Sequence, residues 1–598
     1  SSDYSMDATV FHSAVEALHS PHAAPAQRAA ANAWLVEFAA NEGAPALCES
    51  VLRAPEAPEP TLIFAAGVVA SSASRLGAAA AVPLLQLCAG VASRPAAARL
   101  AQAATAVVVV ARAEDALLTE ATFVSLDVAR KMLVLQSLAE ALEQQASPEE
   151  LQYRPSARAA CAAAVQLLQP AALPPAPPAS AAPALRCLAS WAACGLGYAQ
   201  LCEEYAPLAA ALAAALPAAL APCDDELQRS ELLSHATRAL AVLRACVQAS
   251  VDTGEELELL PTCAPLLRTL GGFRGAVPLL GVPTVDAATG ESDGGGTHGD
   301  ACAELASGLA ALGALLLDLL AEPIVEALDA GAVLVAGAGG GGAVGAMGGE
   351  AAGVVSVVAA AAAGCEGGGE EGELIAALLS FLLACSSHPV AAVAEAAADG
   401  WRDFVSALPS APAGGGGGGG GGEWRGALLS RVVGATLPRL SRAQLRRGCG
   451  DDDDDLADFR ERSGAPLLAA LSEGLGETRW LAPLAGVLRT TLPGAGAGGG
   501  ADGGGGALPL EQLEQIEVAL FAGACTSARC CGAGAGGPGG GPGGGGGGGG
   551  LLQEVQQLAA RFEEAGRQAQ ASSPLAAHVA ESAVACREAL WRAELGED

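Results

Sequence analysis

At 598 residues the chain is too long for one compact core, and its 51 % hydrophobic content with only 3 % aromatic residues draws heavily on alanine, which buries little area per side chain. Stability must then come from many modest interfaces, as in repeat proteins. The formal net charge of −33, from 65 acidic and 32 basic residues, repels nucleic-acid phosphates and anionic lipid and favours basic protein partners.

Taken in chain order, the predicted elements are helices. Asp7–His19 carries Phe11, Val15 and Leu18 on one face, and Ser20-Pro21-His22 ends it. Ala26–Ala40 follows with Trp34, Leu35 and Phe38 inward, which makes a first helix pair. Helical spacing then runs through Pro45–Leu52, Thr61–Ser72, Val82–Ala92, Ala96–Arg112, Phe123–Gln145 and Glu149–Leu168. It continues through Ala184–Leu196, Leu208–Leu220, Leu227–Ser250, Leu257–Leu270 and Cys302–Leu328. Val107–Val110 is β-branched, but its neighbours read as helix and carry it with them.

The architecture is clearest over Leu374–Leu408. Leu374, Leu378, Phe381, Leu382 and Cys385 form one apolar stripe, and Val390, Val393, Ala397, Trp401, Phe404 and Leu408 form a second. Between them stands Ser386-Ser387-His388-Pro389, with Pro389 expected in the first turn of the second helix. Such a pair cannot bury its own apolar face and needs neighbours stacked on it, which predicts an all-α HEAT-type helical-repeat solenoid of antiparallel pairs. Trp424–Leu440, Leu456–Leu475, Thr478–Leu492, Leu510–Ala528, Leu551–Ala569 and Leu575–Leu595 complete the series.

The interruptions are low in complexity. Pro170–Pro183 is Pro/Ala-rich, and Gly281–Asp300, Gly331–Gly372, Pro409–Gly422, Pro493–Gly506 and Gly532–Gly550 are Gly-rich. Tracts of this kind bury too little to offset an ordering entropy of about 1–2 kcal/mol per residue, so they are expected to be disordered insertions between helices. None follows a strand, which argues against a nucleotide loop. Without them about ten pairs remain, at the roughly 40–47 residues of a HEAT-type repeat.

Chemistry-bearing patterns are scarce. Lys131 is the single lysine, and no Gly-rich loop precedes it, which argues against P-loop, kinase-type and Schiff-base enzymes. The 17 cysteines include no C-x-x-C pair, and Cys48, Cys88, Cys161, Cys187, Cys194, Cys246, Cys385 and Cys586 fall on helical faces, as buried reduced thiols do. His19 and His22 lack a neighbouring cysteine or carboxylate cluster, so no metal or cofactor is expected. No Ser/His/Asp or Cys/His set is recognisable. The N-terminus lacks signal-peptide organisation, and neither Leu76–Ala92 nor Gly331–Gly349 reads as a membrane span.

Six segments resemble the importin-β superfamily of nuclear transport receptors, and within it the transportin-3/importin-13 group. FHSAVEALHSPHAAPAQRAAANAWLVEF, Phe11–Phe38, is similar to that group's first repeat, ending in W-L-x-x-F at Trp34, Leu35 and Phe38. Leu62–Val69 resembles its next helix, and Lys131–Gln145 resembles its L-L-x-x-L-x-x-L-P-E-E segment with Gln144-Gln145 in place of the acidic pair. Leu185–Gly195 resembles its L-x-C-L-x-S-W helix, with Trp191. Ala384–Phe404 resembles its C-x-x-H-P-x-x-x-V-x-E repeat, with His388, Pro389 and Trp401. Asp451–Leu471 resembles an acidic loop followed by D-F-x-x-F-R, with Phe459 and Arg460, although Leu456 takes the first aromatic position.

The resemblance implies four segments: N-terminal importin-β-like repeats at 7–112, exportin-1-like repeats at 113–280, central HEAT repeats at 301–492 and further repeats at 507–598. It ends at Asp598, short of the C-terminal repeats with which this group grips Arg/Ser-rich cargo. It also implies a non-enzymatic receptor that shuttles between cytoplasm and nucleus through the nuclear pore. The implied partners are the GTPase Ran, basic protein cargo and the Phe-Gly repeats of nucleoporins. Asp451, Asp452, Asp453, Asp454 and Asp455 read by themselves as a solvated loop; the resemblance makes them a candidate contact for a basic patch on Ran. Trp34, Trp191 and Trp401 are expected in the core. The alternative is a HEAT scaffold or regulatory subunit with no transport role.

Overall fold

In the computed structural model, the residues described are 8–54, 56–147, 150–151, 153–173, 178–221, 223, 225–253, 259–276, 280, 297–329, 370–408, 423–441, 453–491, 510–527, 530, 548–569 and 574–595. Among them the regular elements are helices, without a strand. Two units divide the chain, one made of Ser1–Ala215 with Ala241–Glu255 and the other of Leu216–Leu240 with Glu256–Asp598.

The first unit opens with α1 (Ala8–His19) and α2 (Pro25–Ala39), closed on each other by Phe11 and Phe38, whose rings lie 5.0 Å apart. Phe64 of α4 joins them, 5.8 Å from Phe11. Then come α3 (Ala44–Leu52), α4 (Glu59–Leu76), α5 (Ala81–Gly90), α6 (Arg94–Ala111), α7 (Glu114–Thr119), α8 (Ala121–Ser125) and α9 (Val128–Gln145). These are followed by α10 (Pro155–Ala172), α11 (Pro178–Ala193), α12 (Tyr198–Glu204) and α13 (Ala206–Ala218), whose residues from Leu216 on fall in the second unit. One layer runs α4, α6, α9, α11, and the partner helices α3, α5, α8 and α7, α10 cover it. The β-branched run of α6 is helical, with Val107, Val108 and Val109 buried. Its Thr105 hydroxyl donates to the Ser137 carbonyl of α9 at 3.3 Å.

The second unit takes in α15 (Leu259–Phe273), α16 (Thr297–Leu319), α17 (Ala321–Asp329), α18 (Glu370–Ser386), α19 (Ala391–Ala407), α20 (Glu423–Leu440) and α21 (Asp453–Phe459); α14 (Glu226–Thr253) has residues in both units. A π-helical turn at Arg460–Gly464 leads into α22 (Ala465–Thr491), followed by α23 (Leu510–Ala524), α24 (Gly548–Ala569) and α25 (Pro574–Leu595). α15 packs on α18 and α18 on α20, while α16 packs on α19 and α19 on α22. Like helices of successive pairs therefore lie side by side, as a helical-repeat solenoid requires. Gly476 sits at φ +73°, ψ 165°, a kink inside α22 that an L side chain would strain.

Several boundaries differ from expectation. Phe123–Gln145 is two helices, because the Asp127 carboxylate accepts the Arg130 N–H at 2.8 Å and caps α9 there. The helix expected over Glu149–Leu168 is interrupted: 150–151 are helical, Tyr153 and Arg154 are not, and α10 starts at Pro155, a residue suited to a first turn. Cys302–Leu328 is broken at Leu320. Helix enters the Pro/Ala tract from both sides, through Pro170 and from Pro178, since the alanines between are strong helix formers. α7 and α12 were not expected, being too short to show a period. Pro389 stands one residue before the cap Val390, not in the first turn of α19. The Gly-rich tracts lie outside the described residues, apart from helical ends at 297–300, 370–372 and 548–550. Gly299–Leu319 is long and apolar enough to cross a membrane by length and composition, a feature absent from the sequence reading; 56 % of that window is buried among its neighbours.

Candidate functional site

The turn between α18 and α19 is built from the middle motif. His388 is buried, and its Nδ1 accepts the Val390 N–H at 3.1 Å, which supplies an acceptor at the start of α19 and explains why the helix begins after Pro389. Trp401 is fully buried, packs edge-on against Phe404 and donates its indole N–H to the Ser386 hydroxyl at 3.1 Å. That hydroxyl donates in turn to the Leu382 carbonyl at 2.9 Å. The residues singled out by spacing thus form a structural turn.

Trp191 is likewise fully buried in α11. Trp34 is not: it is half-buried and stacked on Phe38, with ring centroids 5.2 Å apart and planes at 13°. Ala31, Leu35 and Phe38 hold the inward stripe of α2, and Trp34 falls at its edge, which corrects the expectation of a core position.

The acidic run is also placed differently. Asp451 and Asp452 lie outside the described residues, but Asp453, Asp454 and Asp455 open α21 and do not form a loop. Carboxylates suit that position, where the unbonded N–H groups of a first helical turn carry partial positive charge. Asp454, Asp455 and Asp458 are exposed, while Leu456 and Phe459 are buried beneath them.

Immediately after Phe459, Arg460 turns inward. Its guanidinium makes two parallel bonds to Glu517 of α23, at 2.6 and 2.7 Å, and its Nε donates to the Leu440 carbonyl at the end of α20 at 2.9 Å. Glu517 also accepts from the Ser582 hydroxyl of α25 at 3.3 Å. Arg460 lies 4.6 Å over the Phe521 ring, and the buried Arg439 lies 4.9 Å over the Phe459 ring. Arg460 was picked out by its motif, but Glu517 and Arg439 were missed. The available signal for Glu517 was its place on the apolar face of α23, four residues after Leu513 and four before Phe521.

In the same unit α16 and α19 carry Asp318, Asp399 and Asp403. Burial, then the neighbouring Asp403, pushes the Asp318 carboxyl above its ordinary value. Burial also raises Asp399, against the pull of Arg402 at 3.0 Å. In both, loss of hydration disfavours the charged carboxylate, and the nearby Asp403 adds to it. Among the described residues, no group of three His, Cys, Asp or Glu stands close enough to hold a metal ion. Burial pushes the thiol of Cys88 up to about 11 and those of Cys48 and Cys586 up to about 12. All three stay protonated, poor nucleophiles near neutral pH.

No protein-family model matches the chain, and no curated protein matches it. Solved structures do resemble it. One is a Kap95:Nup1 complex, with 13 % identity and a TM-score of 0.23 over 99 % of this chain and 88 % of that one. A second is Kap95p bound to RanGDP, with 11 % identity and a TM-score of 0.24 over 99 % of this chain and 100 % of that one. A third is a mutant of Kap121p, with 13 % identity and a TM-score of 0.22 over 98 % of this chain and 67 % of that one. At TM-scores of 0.22 to 0.24 these likenesses carry no argument about the chain's partners.

Proposed function

We propose that the chain is a nuclear transport receptor of the importin-β type, similar to the transportin-3/importin-13 group. The supporting observation is the order of its motifs: Trp34 and Phe38, then Trp191, then His388, Pro389 and Trp401, then Phe459 and Arg460 follow that group's order along a chain of stacked helix pairs. In this reading Ran in its GTP form binds the N-terminal repeats, Asp7 to about Arg112, and the aspartates at 451–455. Basic protein cargo binds further along, and Ran and import cargo exclude each other. Slots between helices take the Phe-Gly repeats of nucleoporins, and the protein shuttles between cytoplasm and nucleus through the nuclear pore. It performs no catalysis of its own.

A solution of this chain mixed with immobilised Ran tests the reading directly. Retention on Ran locked with GTP and not on Ran holding GDP is expected. Equal retention on both forms, or none, moves the assignment to a HEAT scaffold without a transport role.

A further inference from the structure

The ion pair beneath the acidic helix points to a role for Arg460 that the transport reading does not contain. We propose that Arg460 is a positioning residue: through its fork on Glu517 it fixes the angle at which α21 leaves the π turn, and so the place at which Asp454 and Asp455 meet a basic partner. The inference rests on the reading that these aspartates form a contact surface.

α21 runs without a break through the π turn at Arg460–Gly464 into α22, so the chain itself sets its register. Its inward side chains, Leu456 and Phe459, hold it down, but a π turn interrupts the regular α-helical bonding and leaves the angle between α21 and α22 open to bending. Arg460, the first residue of that turn, restrains the bend. A planar guanidinium with two bonds to one carboxylate sets an angle as well as a distance. Its further bond to Leu440 ties the same group to α20, and the Ser582 bond ties Glu517 to α25. The base of the acidic helix is thus referenced to three other helices. The π turn at Arg460–Gly464 lies just where this anchor leaves the helix, and π turns recur at functional sites. Buried ion pairs often add little net stability over apolar residues of similar size, so a fixed geometry is what this one best supplies. Release of α21 would lower the fraction of chains with the carboxylates in place, and apparent affinity falls by that fraction.

The test uses the full chain with Arg460→Met and Glu517→Met together, which removes both charges and keeps apolar volume. Melting temperature and amide hydrogen exchange are measured, with 391–407 as the internal reference. Exchange over 456–464 at least tenfold faster than in the parent chain is expected, with melting temperature and the reference helix little changed. Unchanged exchange over 456–464 overturns the proposal. If the double variant exchanges rapidly everywhere, Glu517→Gln, which keeps shape and one acceptor, decides by the same two readouts. Association with Ran-GTP is followed on the same proteins. Slowing comparable to that of Asp454→Ser with Asp455→Ser supports positioning, whereas faster exchange with unchanged association overturns it. If the parent chain does not bind Ran, the transport reading fails and exchange alone decides the role of Arg460.

Discussion

Gly400 of α19 lies so close to Ala314 of α16 that a methyl on it would meet the Ala314 Cβ at 2.6 Å and its Cα at 2.9 Å. The two helices approach to backbone contact because both residues are small. Gly400→Ala is therefore expected to lower stability by about 1–3 kcal/mol through overpacking. Gly434 of α20 is exposed with open space around it, so Gly434→Ala should gain about 0.5–1 kcal/mol from helix propensity. Urea unfolding of the two variants should move the midpoint in opposite directions; a loss in both would show that α20 is not held as described.

Removal of the Trp401 side chain leaves a large hole between α18, α19 and their neighbours. Trp401→Ala is expected to cost about 3–5 kcal/mol, as for other buried aromatic truncations. Ser386→Ala leaves the buried indole N–H without its acceptor and should cost about 1–3 kcal/mol. Because the two residues share one bond, the double variant should lose less than the sum of the single losses, a non-additivity that equilibrium unfolding can read.

The helix pairs were legible because alanine-rich repeats with leucine at helical spacing leave few alternative structures. The apolar stripe around Trp401 fixes both helices and the turn between them. What the spacing could not show was interruption by a polar cap. The run from Phe123 to Gln145 keeps its period across Asp127, and only the carboxylate's bond to the Arg130 N–H ends one helix and starts the next. Nor could spacing separate buried charge from surface charge. Glu517 sits among other glutamates in EQLEQIEVALF, and its burial depends on Arg460, distant in sequence but brought to its side by the stack. The candidate aspartates were legible as acidic, but acidity alone could not show that 453–455 are helical and run on through a π turn into α22.

Stability should fall on the alkaline side. Burial raises Cys48, Cys187 and Cys586 from 9.0 to about 12 and Cys88 to about 11. A folded state that holds its protons more tightly than the unfolded chain is fully favoured below pH 9.0 and loses that advantage as pH rises toward 11 to 12. Each such thiol contributes a slope of up to about 1.4 kcal/mol per pH unit in that window. Melting temperature should be flat in its thiol dependence up to about pH 8 and fall steeply above 9, and Cys→Ala at these sites should flatten the fall.

Replacement of the five aspartates at 451–455 by serine should slow association with Ran-GTP chiefly at low salt. Exposed charges steer encounter and are screened by salt, with a Debye length of about 8 Å at physiological ionic strength. Dissociation should change less, because the N-terminal repeats are expected to supply most of the affinity. Stopped-flow association at two salt concentrations checks this; equal slowing at both would mean that the aspartates act through structure.

The buried thiols have one more consequence. They are distributed along both units, from Cys48 through Cys88 and Cys187 to Cys385 and Cys586. A thiol reagent can reach each one only when its own part of the stack opens. The protein therefore carries a native set of clocks, and the order in which its cysteines take up label would record the order in which its layers come apart.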